Sequence, residues 1–366
     1  MATTSKIRNV ALIGHAGEGK TTLTEAILFN LKAIDRQGKV DDGNTVSDFD
    51  PEEIARKTSI SLSVAYGDYN GVKFNILDVP GFFDFEGEMV QALSVADGAV
   101  VVTDASGALT VGTELALDYC LKNDIPTMIF ISGLDKENIR FHDTVDAIHQ
   151  KYGSKVAPMI VPFLENDRFK GWADVSTGKF FDENGKEQSA IPASIEGDYE
   201  NSKAELTEVA AGNDEELMEK YFDAGELTTE EIEKGVKIGV KTCSCIPVLG
   251  GTALLNKGVK NLMDKIVALL PSPDEAKPAV MKKGDSAVKV AADPNGKVII
   301  RVFKTIVDPF VGKLNIFKVV SGTLSAGMTL KNVSKEGDEK ISSLYYIKGK
   351  KQDNASSIVA GDIGAV

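Results

Sequence analysis

Cysteine, histidine and tryptophan are scarce in this chain, numbering three, three and one among 366 residues. Cys120, Cys243 and Cys245 form an odd set with no C-x-x-C pair, which argues against a disulfide framework and against a thiolate zinc site. His15, His142 and His149 are too few and too scattered to suggest a metal cluster. No apolar run approaches the length of a membrane span, and Met1-Ala2-Thr3-Thr4-Ser5 has no apolar signal core. These absences predict a chain with no membrane segment in a reducing, cytoplasmic setting. The length predicts two or three domains, and a hydrophobic content of 43% is ordinary for a globular protein.

Charge is unevenly placed. The net charge is −13, yet residues 196–233 hold fourteen acidic residues and two lysines, a local net of −12. The rest of the chain is close to neutral. The acidic segment reads as helices, with Thr228-x-x-Glu231 as a capping box and Leu217, Tyr221 and Phe222 as an apolar stripe. Two readings stay open for it: a solvated helical face, or a docking surface for a basic partner.

What the chain does contain is Gly14-His15-Ala16-Gly17-Glu18-Gly19-Lys20-Thr21-Thr22, which fits the pattern G-x-x-x-x-G-K-[ST]. An apolar run at residues 9–13 precedes it, and Leu23, Ala26, Ile27 and Leu31 follow at helical spacing. Glycines let successive backbone N–H groups point at phosphate oxygens, and the following helix adds the positive end of its dipole. Lys20 is placed to reach the β- and γ-phosphates, and the Thr21 hydroxyl to ligate Mg²⁺. Asp78-Val79-Pro80-Gly81 closes a second apolar run. A carboxylate there holds Mg²⁺, usually through water, and Gly81 offers its N–H to the γ-phosphate. Upstream, Arg56-Lys57-Thr58-Ser59-Ile60 supplies hydroxyls that either complete the metal shell or are simple strand-edge polar groups.

From residue 9 to about 161 strand and helix alternate. Strands are predicted at 9–13, 61–66, 73–78, 99–103, 127–131 and 156–161, and helices from near Lys20, Glu86, Val111 and Asn138. This pattern implies a parallel sheet covered on both faces. Residues 36–57 are polar and aperiodic and read as a mobile loop. Residues 162–245 interrupt the alternation with a hairpin around Glu183-Asn184-Gly185 and the acidic helices. A strand at 247–253 and a helix at 259–270 follow, and Pro271-Ser272-Pro273 ends them. Residues 274–284 read as a linker. Beyond it come short strands at 298–302, 313–320, 328–332 and 339–346, as in a small antiparallel barrel. Gly361-Asp362-Ile363-Gly364-Ala365-Val366 reads as a barrel strand begun without a neighbour, so the chain is expected to be a fragment.

Gly14–Thr22, Asp78–Gly81 with Phe83-Asp84-Phe85, Asp97-Gly98-Ala99 and Asp135-Lys136-Glu137-Asn138 fall in the order and spacing of a known family. So do Asn256-Lys257-Gly258-Val259, Leu270-Pro271-Ser272-Pro273 and the closing Ala360–Val366 stretch. Over nearly its whole length the chain resembles the elongation factor G family of translational GTPases, in its divergent, elongation-factor-G-like branch. The resemblance implies an α/β P-loop GTPase domain with an inserted α+β subdomain, followed by a small, incomplete antiparallel β-barrel. The corresponding divisions are residues 1–275, with the insert at about 162–245, and residues 276–366. It also implies GTP as substrate, GDP as product, Mg²⁺ as cofactor, a monomer, and the ribosome as partner. The acidic helices would meet the ribosomal stalk protein.

By the same resemblance, Asp135 accepts hydrogen bonds from the guanine ring, and the backbone of Gly251-Thr252-Ala253 touches its carbonyl. Three departures stand out. The guanine box, Asn-Lys-x-Asp in the family, reads Ser132-Gly133-Leu134-Asp135 here. Phe82 occupies the position of the usual His beside the attacking water. Gly17 replaces an Asp, and Ser59 replaces a Thr while keeping the hydroxyl. A GTPase that is slow without the ribosome is the leading expectation. A GTP-holding, ribosome-docking module with little hydrolysis is the alternative, and a P-loop ATPase is the remaining one.

Overall fold

The computed structural model describes residues 3–166, 168–308 and 312–366. Met1 and Ala2, where the reading of the N-terminus begins, lie outside these. In chain order the first part runs through β1 (Ile7–Ile13), α1 (Lys20–Asn30), α2 (Pro51–Arg56), β2 (Ser63–Tyr69), β3 (Val72–Asp78) and α3 (Glu86–Leu93). It continues with β4 (Gly98–Asp104), α4 (Val111–Lys122), β5 (Thr127–Ser132), α5 (Phe141–Tyr152) and β6 (Val156–Pro158). Next come β7 (Ile160–Glu165), β8 (Arg168–Asp174), β9 (Lys179–Asp182), β10 (Glu187–Gln188), α6 (Glu196–Ala211), α7 (Glu215–Ala224) and α8 (Thr229–Thr242). Then β11 (Ile246–Gly250) and α9 (Val259–Leu269) return to the main sheet.

That sheet has the order β2-β3-β1-β4-β5-β11-β6. Every pairing in it is parallel except β2 with β3. Successive side chains of a strand face opposite ways, so each buried strand feeds two cores. Val10 and Leu12 enter one, Ala11 and Ile13 the other, and β4 divides in the same way. The strand order changes direction at β1, which has β3 on one side and β4 on the other. The C-terminal end of β1 is therefore the switch point at which open α/β sheets place their ligands.

The expected α/β order is present, with instructive differences. The strand expected at 61–66 begins at Ser63 and runs on through Tyr69, because it forms a hairpin with β3. Asn70 and Gly71 both take positive φ at its turn, as a two-residue hairpin requires. The run at 156–161 is two strands in two sheets: β6 pairs with β11 and β7 with β8. Both halves are buried and apolar, so no periodicity marks the break. The helix expected from Asn138 starts at Phe141. Residues 36–57 are not simply a loop. Asp50 and Glu53 form a capping box that starts α2, and Glu25 of α1 accepts the Gly38 and Val46 N–H groups at 2.8 and 2.6 Å. Six residues are too few for helical periodicity to show.

The insert combines an antiparallel sheet, order β10-β9-β8-β7, with the three acidic helices. The Thr228–Glu231 capping box forms as read. Leu217 is buried and Tyr221 half-buried, but Phe222 is 79% exposed and leaves the expected stripe. Five residues along a helix turn Phe222 well away from the Leu217 face.

In the second part, β12 (Ala279–Lys283) forms inside the expected linker and pairs as a hairpin with β13 (Ser286–Val290), just beyond it. There follow β14 (Ile299–Asp308), β15 (Gly312–Ser321), β16 (Thr323–Ser325), β17 (Thr329–Asn332), β18 (Gly337–Lys340), β19 (Leu344–Lys348), β20 (Lys351–Ala355), β21 (Ser357–Val359) and β22 (Ile363–Ala365). The strand expected at 339–346 is divided between β18 and β19. The structure overturns the expectation that β22 lacks a neighbour: it lies between β15 and β19 in the sheet β14-β15-β22-β19-β20. Its partners lie far upstream, so no local signal announces them.

A buried polar network joins this sheet to the first. Asp362, fully buried, accepts two bonds from Lys73 Nζ at 2.8 and 2.9 Å and one from Asn75 Nδ2 at 2.9 Å. Asn75 donates in turn to Asn9, and Asn9 to Asp97, whose other oxygen accepts from Lys318 at 2.6 Å. The Lys73 ammonium also sits 3.4 Å from the Tyr346 ring centre. Removing one partner of such a pair strands the other charge. Asp362→Ala should destabilise the chain by roughly 3–5 kcal/mol in denaturant unfolding, and Lys73→Met/Asp362→Leu should recover much of it. A loss below about 1 kcal/mol for Asp362→Ala would show that water reaches the network.

Candidate nucleotide site

The glycine loop leaves β1 in a conformation that ordinary residues resist. Gly14, Gly17 and Gly19 take φ of 135, 83 and 92°. A Cβ on Gly14 would collide with the Val102 carbonyl of β4. Gly19 caps α1 with no side-chain hydrogen bond, so the N–H groups of the first turn point into the loop without a capping side chain. His15, Ala16 and Thr22 line the loop half-buried, and Gly17 is at its exposed tip. Lys20 is buried and donates to the Gly14 and His15 carbonyls at 3.0 and 2.6 Å. Burial lowers its pKa, while the charges of Asp78, Glu18 and Asp48 act in the opposite direction.

Glu18, grouped with the nucleotide-binding residues from sequence, turns its side chain away from the loop's mouth. Its carboxylate accepts the His15 N–H at 2.9 Å, the Thr113 hydroxyl at 2.6 Å and the Thr110 hydroxyl at 2.9 Å. It ties the loop to the N-terminus of α4.

The three residues expected to face the metal come together. Thr21 Oγ1 and Ser59 Oγ lie 3.0 Å apart. Asp78, at the end of β3, is buried, and neither of its oxygens has a hydrogen-bond partner among the described residues. Burial pushes its pKa up to about 6, against the pull of the Ser47, Thr21 and Thr24 hydroxyls and the Lys20 charge.

Sequence reasoning missed Asp48. It too is buried with both oxygens unpartnered, and burial, then the nearby Asp78 charge, pushes it up to about 7. The hydroxyls of Ser47 and Thr24, buried beside Asp78, likewise make no hydrogen bond of normal geometry. Asp48 is one of several acids in an aperiodic segment, and nothing in the spacing singles it out.

Two buried carboxylates facing one buried ammonium, with unpaired oxygens and two hydroxyls alongside, fit a hard divalent cation with oxygen ligands. Mg²⁺ keeps several positions for water and phosphate, so a sparse protein donor set suits it. No group of three or more His, Cys, Asp or Glu side chains able to hold a metal occurs among the described residues, which leaves this mixed oxygen set as the candidate.

Gly81 stands directly over the loop: a Cβ there would collide with Lys20 Nζ and the Ala16 N atom. Phe82 next to it is 45% exposed at the start of a short 3₁₀ turn, Phe83–Phe85. At the far end, two loops form one wall. Leu134 N–H donates to the Gly251 carbonyl at 3.2 Å, and Gly251 N–H to that of Ile131 at 3.0 Å. Thr252 and Ala253 are buried, Asp135 is exposed at the rim, and Gln37 donates to the Ala253 carbonyl at 2.8 Å.

The raised carboxylates carry a pH signature. Both bind protons more tightly in the folded chain than at their ordinary value of 3.8. Their contribution to stability therefore rises as pH falls from about 7 towards 4. In EDTA, wild type should lose on the order of 2 kcal/mol relative to Asp48→Asn between pH 5 and pH 8, read from denaturant midpoints. Parallel pH profiles would contradict this arrangement.

Comparison with known proteins agrees with this geometry. The model of the family described as "Elongation factor Tu GTP binding domain" matches residues 5–272, and that of "Elongation factor G domain 2" matches residues 297–366. Elongation factor G of Mycoplasma genitalium is 34% identical over 366 residues, covering 98% of this chain and 53% of that protein. The same factor of Mycoplasma pneumoniae is 33% identical over 365 residues with the same coverage. A crystal structure of a protein from Thermus thermophilus superposes with a TM-score of 0.87 at 32% identity, covering 99% of this chain and 52% of that one. The chain thus spans about half the length of the curated relatives it matches. With its glycine loop at the sheet's switch point and both family models in register, the chain belongs to the elongation factor G family of translational GTPases.

Proposed function

We propose that this chain binds GTP and GDP with Mg²⁺ and hydrolyses GTP slowly by itself, as the nucleotide-binding part of a ribosome-associated translation factor. The observation that carries this reading is the buried set of Lys20, Asp78 and Asp48 beside the paired Thr21 and Ser59 hydroxyls. Lys20 would turn from the loop carbonyls to the β- and γ-phosphates. Residues 14–22 would cradle the phosphates through their backbone N–H groups. Thr21, Ser59 and Asp78, with Asp48, would hold Mg²⁺, which when bound neutralises charge developing on the phosphate oxygens. Gly81 would offer its N–H to the γ-phosphate. Asp135 would select guanine from the rim, and Gly251, Thr252 and Ala253 would close the base pocket behind it.

The division of the chain at about residue 275, with an insert at 162–245, belongs to this proposal and is supported by the spans of the two family models. So does docking of the acidic helices at 196–233 on a basic partner, the ribosomal stalk protein in the family reading. No helix among the described residues is long and apolar enough to cross a membrane. A cytoplasmic monomer is the proposed state.

Phe82 favours a second reading, a GTP-holding docking module with little hydrolysis. A phenyl ring cannot exchange a proton with water, and positioned proton-transfer groups contribute about 10²–10⁴-fold. Single-turnover hydrolysis with and without ribosomes separates the two: acceleration by ribosomes supports the enzyme, and absence of turnover in both supports the module.

Labelled GDP titrated into the chain, with GTP and ATP as competitors, tests the core of the proposal; GTP should displace the label and ATP should not. Equal displacement would refute guanine selection. Lys20→Ala should abolish triphosphate binding, and retained micromolar affinity would count against the whole site. Asp135→Asn should shift preference from guanosine towards xanthosine nucleotides by about 10- to 100-fold in competition, because the carboxylate's charge-assisted bonds are lost. Unchanged preference would remove Asp135 from the base pocket.

A further inference from the structure

We propose that Lys304, on β14 of the second sheet, is a positioning residue for the Ser59 hydroxyl, so that the second part of the chain completes the metal site of the first. This rests on the functional reading above for Ser59. The three residues after Ser59 are held by two carboxylates. Glu53 of α2, itself buried, accepts the Ile60 and Ser61 N–H groups at 3.0 and 3.1 Å. Glu88 of α3 accepts the Leu62 N–H at 2.6 Å through one oxygen. That same oxygen accepts from Lys304 Nζ at 2.6 Å, and Lys304 also donates to the Ser61 hydroxyl. The Lys304 side chain is 8% exposed and that of Glu88 22%, so the pair is shielded from salt and water.

Backbone geometry aims this lysine. The register of β14 against β15 shifts between Val302 and Lys304, a bulge that sets Lys304 opposite Ile316. Ile316 belongs to the apolar cluster shared with the first sheet, so the bulge turns Lys304 towards that sheet. One ammonium thereby bridges two segments. The first leads from Ser59, which lies 3.0 Å from Thr21, and the second is α3, which follows Gly81 and the turn Phe83–Phe85. Without it, Glu88 is left half-buried and uncompensated, and the Leu62 N–H loses a fixed acceptor.

The test compares this chain with Lys304→Met, Lys304→Arg, Glu88→Gln and the Lys304→Met/Glu88→Gln double variant. Hydrogen exchange of the Ile60, Ser61 and Leu62 amides is read without nucleotide, and the Mg²⁺ concentration for half-maximal GTP binding is read with it. Lys304→Met should speed exchange at those amides and raise the Mg²⁺ requirement by about 10-fold, the scale of one charge-assisted hydrogen bond. Metal-free GDP affinity should not change. Lys304→Arg should recover most of the loss, and the double variant should be no worse than Lys304→Met. Wild-type exchange and Mg²⁺ dependence in Lys304→Met would overturn the proposal. If Lys304→Met unfolds the chain, Glu88→Gln, which keeps an acceptor for Leu62 but loses the charge, decides by the same two readouts. Failure of wild type to bind GTP with Mg²⁺ would sink the functional reading, while the exchange comparison would still decide whether Lys304 holds this segment.

Discussion

Two carboxylates and one ammonium are buried together under a glycine loop, and that imbalance governs the rest of the site. Asp78 and Asp48 have no hydrogen-bond partner among the described residues, and both are pushed up towards neutral pH by burial. Lys20 alone does not balance two ionised carboxylates, and it is already shared with two backbone carbonyls. Such a set is relieved either by proton uptake, which the raised values express, or by another positive charge settling there. The oxygen character of every nearby donor selects a hard cation, and the loop's N–H groups select the anion that would come with it. Much of the surrounding architecture serves to hold these groups apart from water and from better partners.

That architecture is built from constraints at several levels. The parallel sheet places the loop at its switch point, and the change of strand order at β1 opens the space above it. Glu18 fixes the loop against α4, Glu25 fixes the segment carrying Asp48, and Glu53 fixes the residues after Ser59. Each is a carboxylate accepting hydrogen bonds that a loop would otherwise leave unmade. The second sheet is fastened through Asp362 and Lys73 and through an apolar cluster containing Ile316, Ile347, Ile363 and Ala365. The polar fastening lies at the ends of β1 and β3 away from the loop, where Lys73 pairs with Ile7 and Asn75 with Asn9.

Much of the fold was legible in the sequence because its signals are local. The loop pattern, the buried strands around it and the Thr228 capping box depend on residues a few positions apart. What stayed hidden depends on partners far along the chain. β22 sits between β15 and β19, which no local pattern can reveal, and its two-sided pairing reverses the reading of 361–366 as an unpaired strand. The split at Met159 was hidden because burial on every side erases periodicity. In the candidate site, motif positions alone name Thr21, Ser59 and Asp78, and the Thr21 and Ser59 hydroxyls lie 3.0 Å apart. Asp48 was missed because its role depends on burial beside Asp78, and burial of a single acid within a polar segment leaves no mark on composition. Glu18 belongs to the loop by its motif position, but its side chain is held by the hydroxyls of Thr110, at the N-cap of α4, and Thr113, contacts that no local spacing reveals.

The most direct test of the central claim is the proton count on binding. Calorimetric titration of Mg²⁺·GDP into the chain near pH 6.5, repeated in buffers of different ionisation enthalpy, measures protons released per nucleotide bound. If the cation settles between Asp48 and Asp78, binding must drive both carboxylates to their ionised forms, and the release should exceed that for GDP alone in EDTA and fade by pH 8.5. Tight Mg²⁺·GDP binding with no more proton release than metal-free GDP would contradict the account.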